Sequence, residues 1–139
     1  MADNILGTAG DFILAYDKKD WERLTGYLTK DVVYDEQSTE RRLEGQGAVL
    51  EAMQTWGKAF PDSSGKITNA FASGNEVALE IMWLGTHTAP LPMPTGIIAA
   101  SNKKVEIPAA MVFTFTDGKI KSVRHYFNLT TLLRQIGAA

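Results

Sequence analysis

The run from Val105 to Thr116 carries an apolar side chain at every odd position: Val105, Ile107, Ala109, Met111, Phe113 and Phe115. Side chains of a strand alternate between its two faces, so this pattern predicts one long strand with a dry face that something else must cover. EVALEIMWLGTHT, from Glu76 to Thr88, is long enough to cross a whole sheet, and SGN at 73 to 75 turns into it from a weakly alternating run, Lys66 to Ala72. TDG at 116 to 118 predicts a hairpin from the dry-faced strand into a last strand, Lys119 to Asn128.

The cover comes from the first half of the chain. Ile5, Phe12, Ile13 and Tyr16 approximate a helical stripe with Asp3 or Asn4 as its cap, and Asp20 opens a second short helix through Trp21, Leu24 and Leu28. DVVYDE, Asp31 to Glu36, is a brief extended run. Val49, Met53, Trp56 and Phe60 then repeat at helical spacing in RRLEGQGAVLEAMQTWGKAF, which Pro61 stops. APLPMPTG, with its prolines, predicts a loop at the rim of the sheet. Leu129, Leu132, Leu133 and Ile136 predict a short closing helix ended by Gly137. Helices first and long antiparallel strands afterwards predict an α+β fold, with the helices covering one face of a curved sheet.

A chain of 139 residues suits a single domain over residues 1–139 and buries enough surface to hold a core without staples. With zero cysteines, disulfides, thiolate nucleophiles and cysteine-held zinc are excluded. A formal net charge of -2 with scattered basic residues gives no footprint for nucleic acid or anionic lipid. The opening MADNILGTAGDFILAYDKKD reads as neither a signal peptide nor a membrane span, so the expectation is a cytoplasmic protein, and the charge balance points to a small, neutral-to-polar organic ligand. There is no phosphate-cradling glycine loop, no nucleophile elbow and no histidine pair at metal spacing, which predicts chemistry without metal or cofactor.

Strand parity nominates site residues. Along Glu76 to Thr88, Trp83 and His87 share the face of Val77, Leu79 and Ile81, which makes His87 the histidine expected to move a proton. The competing expectation is a strand-end imidazole fixed by the backbone. In the last strand Ile120, Ser122, Arg124, Tyr126 and Asn128 go together, opposite Val123, His125 and Phe127. Arg124, Tyr126 and Asn128 are thus a candidate polar wall for a carbonyl, ester or phenol. Arg124 paired with a carboxylate such as Glu106, and Asn128 capping the closing helix, are the alternatives. Tyr16, Trp56, Phe60, Trp83 and Met111 are the candidate apolar lining. Val112, Thr114 and Thr116, with Val123 and Phe127, are expected on a convex outer surface compatible with a homodimer.

AYDKKDWERLTGYLTKDVVY, GQGAVLEAMQTWGKAFPD, GTHT, PTG, FTFTDGKI and YFNLTTLLRQIG, taken in order, resemble the SnoaL-like polyketide (ester) cyclases of the nuclear-transport-factor-2-like superfamily. The resemblance implies a cone-shaped curved sheet wrapped by three helices, a deep apolar pocket and frequent dimerisation. It further implies cofactor-free intramolecular aldol closure of a polyketide ester, with an acidic base at the end of the last strand. By position that residue corresponds to Asn128, and the resemblance brings His87 into the same pocket. An amide keeps hydrogen-bonding capacity but is no base. Three readings follow: an enzyme on a small carbonyl or ester with His87 as acid or base and Asn128 or Tyr126 polarising the oxygen; a non-catalytic carrier of an apolar molecule; or an isomerase or hydrolase on the same fold.

Overall fold

The computed structural model describes residues 4–138. Three helices lead: α1 (Ile5–Asp17), α2 (Trp21–Gly26) and, after two strands, α3 (Gln46–Ala59). The strands are β1 (Leu28–Glu36), β2 (Arg41–Glu44), β3 (Ser64–Ser73), β4 (Glu76–Thr86), β5 (Leu91–Met93), β6 (Gly96–Ile98), β7 (Lys104–Thr116) and β8 (Lys119–Phe127), and α4 (Leu129–Gln135) closes the chain. The main sheet has the order β2-β1-β8-β7-β4-β3, antiparallel except where β1 runs parallel to β8. It is the curved α+β sheet expected. Asp3, one of the two expected caps of α1, lies outside the described residues, and Asn4 holds the cap position without a side-chain hydrogen bond. Among the described residues no helix is long and apolar enough to cross a membrane.

The dry face of β7 is real: Val105, Ile107, Met111, Phe113 and Phe115 are all buried. Val77, Leu79 and Ile81 of β4 pair with Phe113, Met111 and Ala109 in register, extending that face sideways. α1 lies across it, with the Phe12 ring edge-on to Phe113 at 5.8 Å. Each such side chain contributes roughly 1.5–3 kcal/mol through its removal from water. A second apolar cluster gathers Phe60 of the α3 exit, Leu91 of β5, Val105 and Ile107 of β7, Leu132 of α4 and Ile136 just after it. Gln135 fastens α4 to the start of β7, accepting from the Glu106 N–H at 2.7 Å and donating to the Glu106 carbonyl at 3.0 Å.

Two local departures from expectation matter. The APLPMPTG stretch is not wholly loop: it folds into the β5–β6 hairpin, a separate two-stranded sheet in which its prolines meet no central ladder. Arg41–Glu44 lies outside the helical repeat and pairs with β1 as an edge strand.

The larger correction concerns β8. Thr114 pairs with Ser122 but Phe115 pairs with Ile120, so Lys121 is an extra residue and the strand is bulged there. One extra residue reverses the parity of everything beyond it. Ile120 is inward as expected, but past the bulge Val123 and His125 are buried and Phe127 turns inward, while Arg124 and Tyr126 face out. Val123 and Phe127 are therefore not part of an outer surface.

Candidate functional site

An apolar cavity of ≈ 80 Å³ lies between the two clusters. Phe12, Ile13 and Tyr16 of α1, Met53 and Trp56 of α3, Phe60, Trp83 of β4 and Met111 of β7 form much of its wall. Expected lining residues Tyr16, Trp56, Phe60, Trp83 and Met111 are all brought together here. Trp83 owes its place partly to a glycine: a Cβ on Gly65 would lie 2.7 Å from the indole and 2.9 Å from Ile13. Asp17 holds that glycine in position by accepting its backbone N–H at 2.9 Å.

The polar groups of the wall are Tyr34 and Glu36 of β1, His125 of β8, and Tyr16 with Ser63. Residues 32, 34 and 36 alternate onto one face of β1, so Tyr34 and Glu36 continue the inward row begun by buried Val32. In the parallel ladder Glu36 stands opposite His125. His125 Nδ1 is 2.9 Å from the Tyr34 hydroxyl, and Trp83 Nε1 is 3.2 Å from His125 Nε2.

These distances fix a tautomer. An indole N–H only donates, so His125 Nε2 accepts and the ring proton resides on Nδ1. Nδ1–H then donates to the Tyr34 oxygen, which leaves the Tyr34 O–H without an acceptor among the described residues. Burial lowers the His125 pKa to about 4, so the ring is neutral near pH 7 and the chain of donors is set. Burial, then the nearby Glu36 charge, pushes Tyr34 well above the usual phenol range. The result is a neutral hydroxyl in an apolar hollow.

Glu36 is 2 % exposed. Its Oε1 accepts the Thr39 hydroxyl at 2.6 Å, and one Arg41 nitrogen lies 3.4 Å from both carboxylate oxygens. The turn Gln37–Thr39 that supplies Thr39 is pinned to β8 by Ser38, which accepts the Phe127 N–H at 2.8 Å and donates to the Phe127 carbonyl. Across the cavity the Tyr16 hydroxyl meets Ser63 Oγ at 2.8 Å, and Lys19 Nζ donates to Ser63 from above the Tyr16 ring. Burial raises the Tyr16 pKa to about 12 against the opposing Ser63 hydrogen bond.

The four other expected site residues do not line this cavity. His87, just beyond β4, is fully buried, but its ring stacks on Phe60 at 5.3 Å and its Nδ1 accepts the Ser101 backbone N–H at 3.2 Å. It anchors the segment before β7. Asn128 caps α4, its Oδ1 accepting from the Thr131 N–H at 3.1 Å. Tyr126 is exposed, and with Asn128 borders an open outer groove beside Ser38 and Glu80. Arg124 is paired at 3.6 Å with Glu76, not with Glu106. The bulge at Lys121 accounts for Arg124 and Tyr126, and the helix start at Leu129 accounts for Asn128.

His125, Tyr34 and Glu36 were missed by the sequence reading. For the last two the signal was present, since parity within DVVYDE puts them in one row with Val32. Among the described residues no cluster of three His, Cys, Asp or Glu is placed to hold a metal ion.

A family model for SnoaL-like polyketide cyclases matches residues 8–136. No protein of curated function matches the chain. Among solved structures, a candidate polyketide cyclase from Xanthomonas campestris pv. campestris superposes with a TM-score of 0.84 at 20% identity, covering 96% of this chain and 97% of its own. AclR from Streptomyces galilaeus, described as a candidate hydroxylase, gives 0.83 at 19% identity over 100% and 99% of the two chains. A protein of ketosteroid isomerase-like fold from Catenulispora acidiphila, in complex with trimethylamine, gives 0.79 at 16% identity over 95% and 93%. At such identities these likenesses establish a shared fold.

Proposed function

Since the chain belongs to the SnoaL-like polyketide cyclase family, we propose that it carries out cofactor-free acid/base chemistry of the aldol type on a small apolar carbonyl or ester compound held in the cavity. The supporting observation is the Tyr34 hydroxyl: a neutral donor, oriented by His125 and Trp83, with its proton left over for a guest. Such a donor is worth most where water is excluded, because a developing enolate oxygen has nothing else to bind.

The resting volume of ≈ 80 Å³ is well below the roughly 300–1,000 Å³ of pockets for drug-sized ligands. A small ketone, or one carbonyl-bearing end of a longer polyketide-like chain, is the guest that fits. In this reading Tyr34 binds the carbonyl oxygen, the aromatic wall orients the rest, and the amide at Asn128 takes no part.

The test is α-proton exchange of cyclopentanone in D2O, followed by NMR. Exchange above the buffer rate that a larger apolar competitor suppresses is the expected result. Saturable binding without exchange would make the protein a carrier, and neither binding nor exchange would overturn the reading.

A further inference from the structure

We propose that Glu36 is the general base of this cavity, doing from β1 the work that Asn128 cannot do from the end of β8. The inference rests on the proposed carbonyl chemistry and adds the residue that starts it.

Three observations carry it. Among the described residues Glu36 is the one carboxylate in the cavity wall. A buried carboxylate in a largely apolar wall is expensive to desolvate, so for structure alone the position would favour an apolar residue like its row-mate Val32. Arg41 and Thr39 partner it and leave capacity: Oε1 holds the short Thr39 bond, while among the described residues Oε2 has only the long Arg41 contact. Finally, Glu36 and Tyr34 are two residues apart on one strand face, with His125 across from Glu36. A base and an oxygen donor thus share one wall, as removal of a proton next to a carbonyl requires.

The step balances within the substrate. Glu36 takes the proton from the carbon next to the carbonyl, and the C–H electron pair becomes an enolate whose oxygen is held by the Tyr34 O–H. The enolate carbon then bonds to a second carbonyl carbon of the same molecule. The oxygen of that carbonyl becomes an alkoxide and takes the proton back from Glu36. The product is an isomer of the substrate, and no co-reactant is consumed.

The cyclopentanone exchange assay separates this proposal from the reading beneath it. With wild-type exchange established, Glu36→Gln should lower kcat for exchange about 10²–10⁴-fold with KM changed little, because the amide keeps size and hydrogen bonding but accepts no proton. Glu36→Met is apolar and of similar length, so it needs no partner for a buried charge; it should fold and lose exchange to the same extent, and it decides the matter if the glutamine variant does not fold. Wild-type exchange that survives in a folded Glu36→Gln or Glu36→Met protein would overturn the base assignment and leave the carbonyl reading standing. Absence of exchange in the wild type would overturn both.

Discussion

His125 and His87 are both buried and both lowered in pKa by burial, yet their surroundings give them different work. His125 accepts a hydrogen bond from Trp83 and donates one to Tyr34, so the spare hydrogen-bonding capacity of the chain emerges at a hydroxyl in the cavity wall. The Nδ1 of His87 is used up by Ser101, and among the described residues its Nε2 completes no hydrogen bond and the ring lines no part of the cavity. Burial of an imidazole therefore does not mark a site by itself. What distinguishes the two is where the unspent donor points.

The largest expected effect tests that distinction directly. Tyr34→Phe keeps the ring and removes the hydroxyl, and should cut cyclopentanone exchange by about 10²–10³-fold, the usual loss when one oxyanion donor is removed. His87→Ala should leave the rate per folded molecule within about twofold, because the side chain is outside the cavity. Equal losses in the two variants would erase the contrast.

The next effect is on stability against pH. An unfolded histidine titrates near 6.5, whereas His125 in the folded chain titrates at about 4. Between those values the unfolded chain binds a proton that the folded chain refuses. The stabilisation is thus fully present above pH ~6.5 and is lost as the pH falls through 6.5 toward 4, on the order of 3 kcal/mol. Urea unfolding at pH 7 and pH 4.5 should show this loss in the wild type. His125→Gln, which can still accept from Trp83 and donate to Tyr34, should remove most of it. His87 contributes with the same sign, since its pKa is also lowered by burial, against the opposing influence of the Ala89 backbone.

His87→Ala sharpens the comparison from the structural side. It abandons the Ser101 N–H, removes the stack on Phe60 and leaves a void, at a cost of about 2 kcal/mol. A lower urea midpoint with unchanged exchange is the expected signature of an anchor. Unchanged stability would mean that the segment at Ser101 holds its place without the ring.

Most of the scaffold was legible because the two longest strands obey parity without interruption. β7 alternates from Val105 to Phe115 and β4 from Val77 to Gly85, and both were read correctly. The site was misread where parity breaks. Nothing in IKSVRHYFN announces that Lys121 is an extra residue, because the bulge is set by pairing with both β7 and β1 across the sheet. A single slipped residue exchanged His125 for Arg124 and Phe127 for Tyr126 on the inner face. Glu36 was overlooked for a different reason. A charged residue at the end of an apolar row looks like a strand terminus, and only the later turn carrying Thr39 and the β2 residue Arg41 make its burial tolerable.

The smallest effect concerns Asn128, the residue that the resemblance sets at the acidic position of the last strand. As a cap, Asn128 satisfies the Thr131 N–H, so Asn128→Ala should cost about 1 kcal/mol. Asn128→Asp keeps that acceptor and puts a negative charge at the start of α4, where the helix dipole favours it by about 0.3–1 kcal/mol. Stability should stay level or rise slightly, and exchange should not change, because the new carboxylate sits at the outer groove on the far side of β8 from Glu36. A gain in exchange from Asn128→Asp would show that the strand end can turn its side chain into the cavity, and the inner face of β8 would then include the very residue that the bulge now keeps outside.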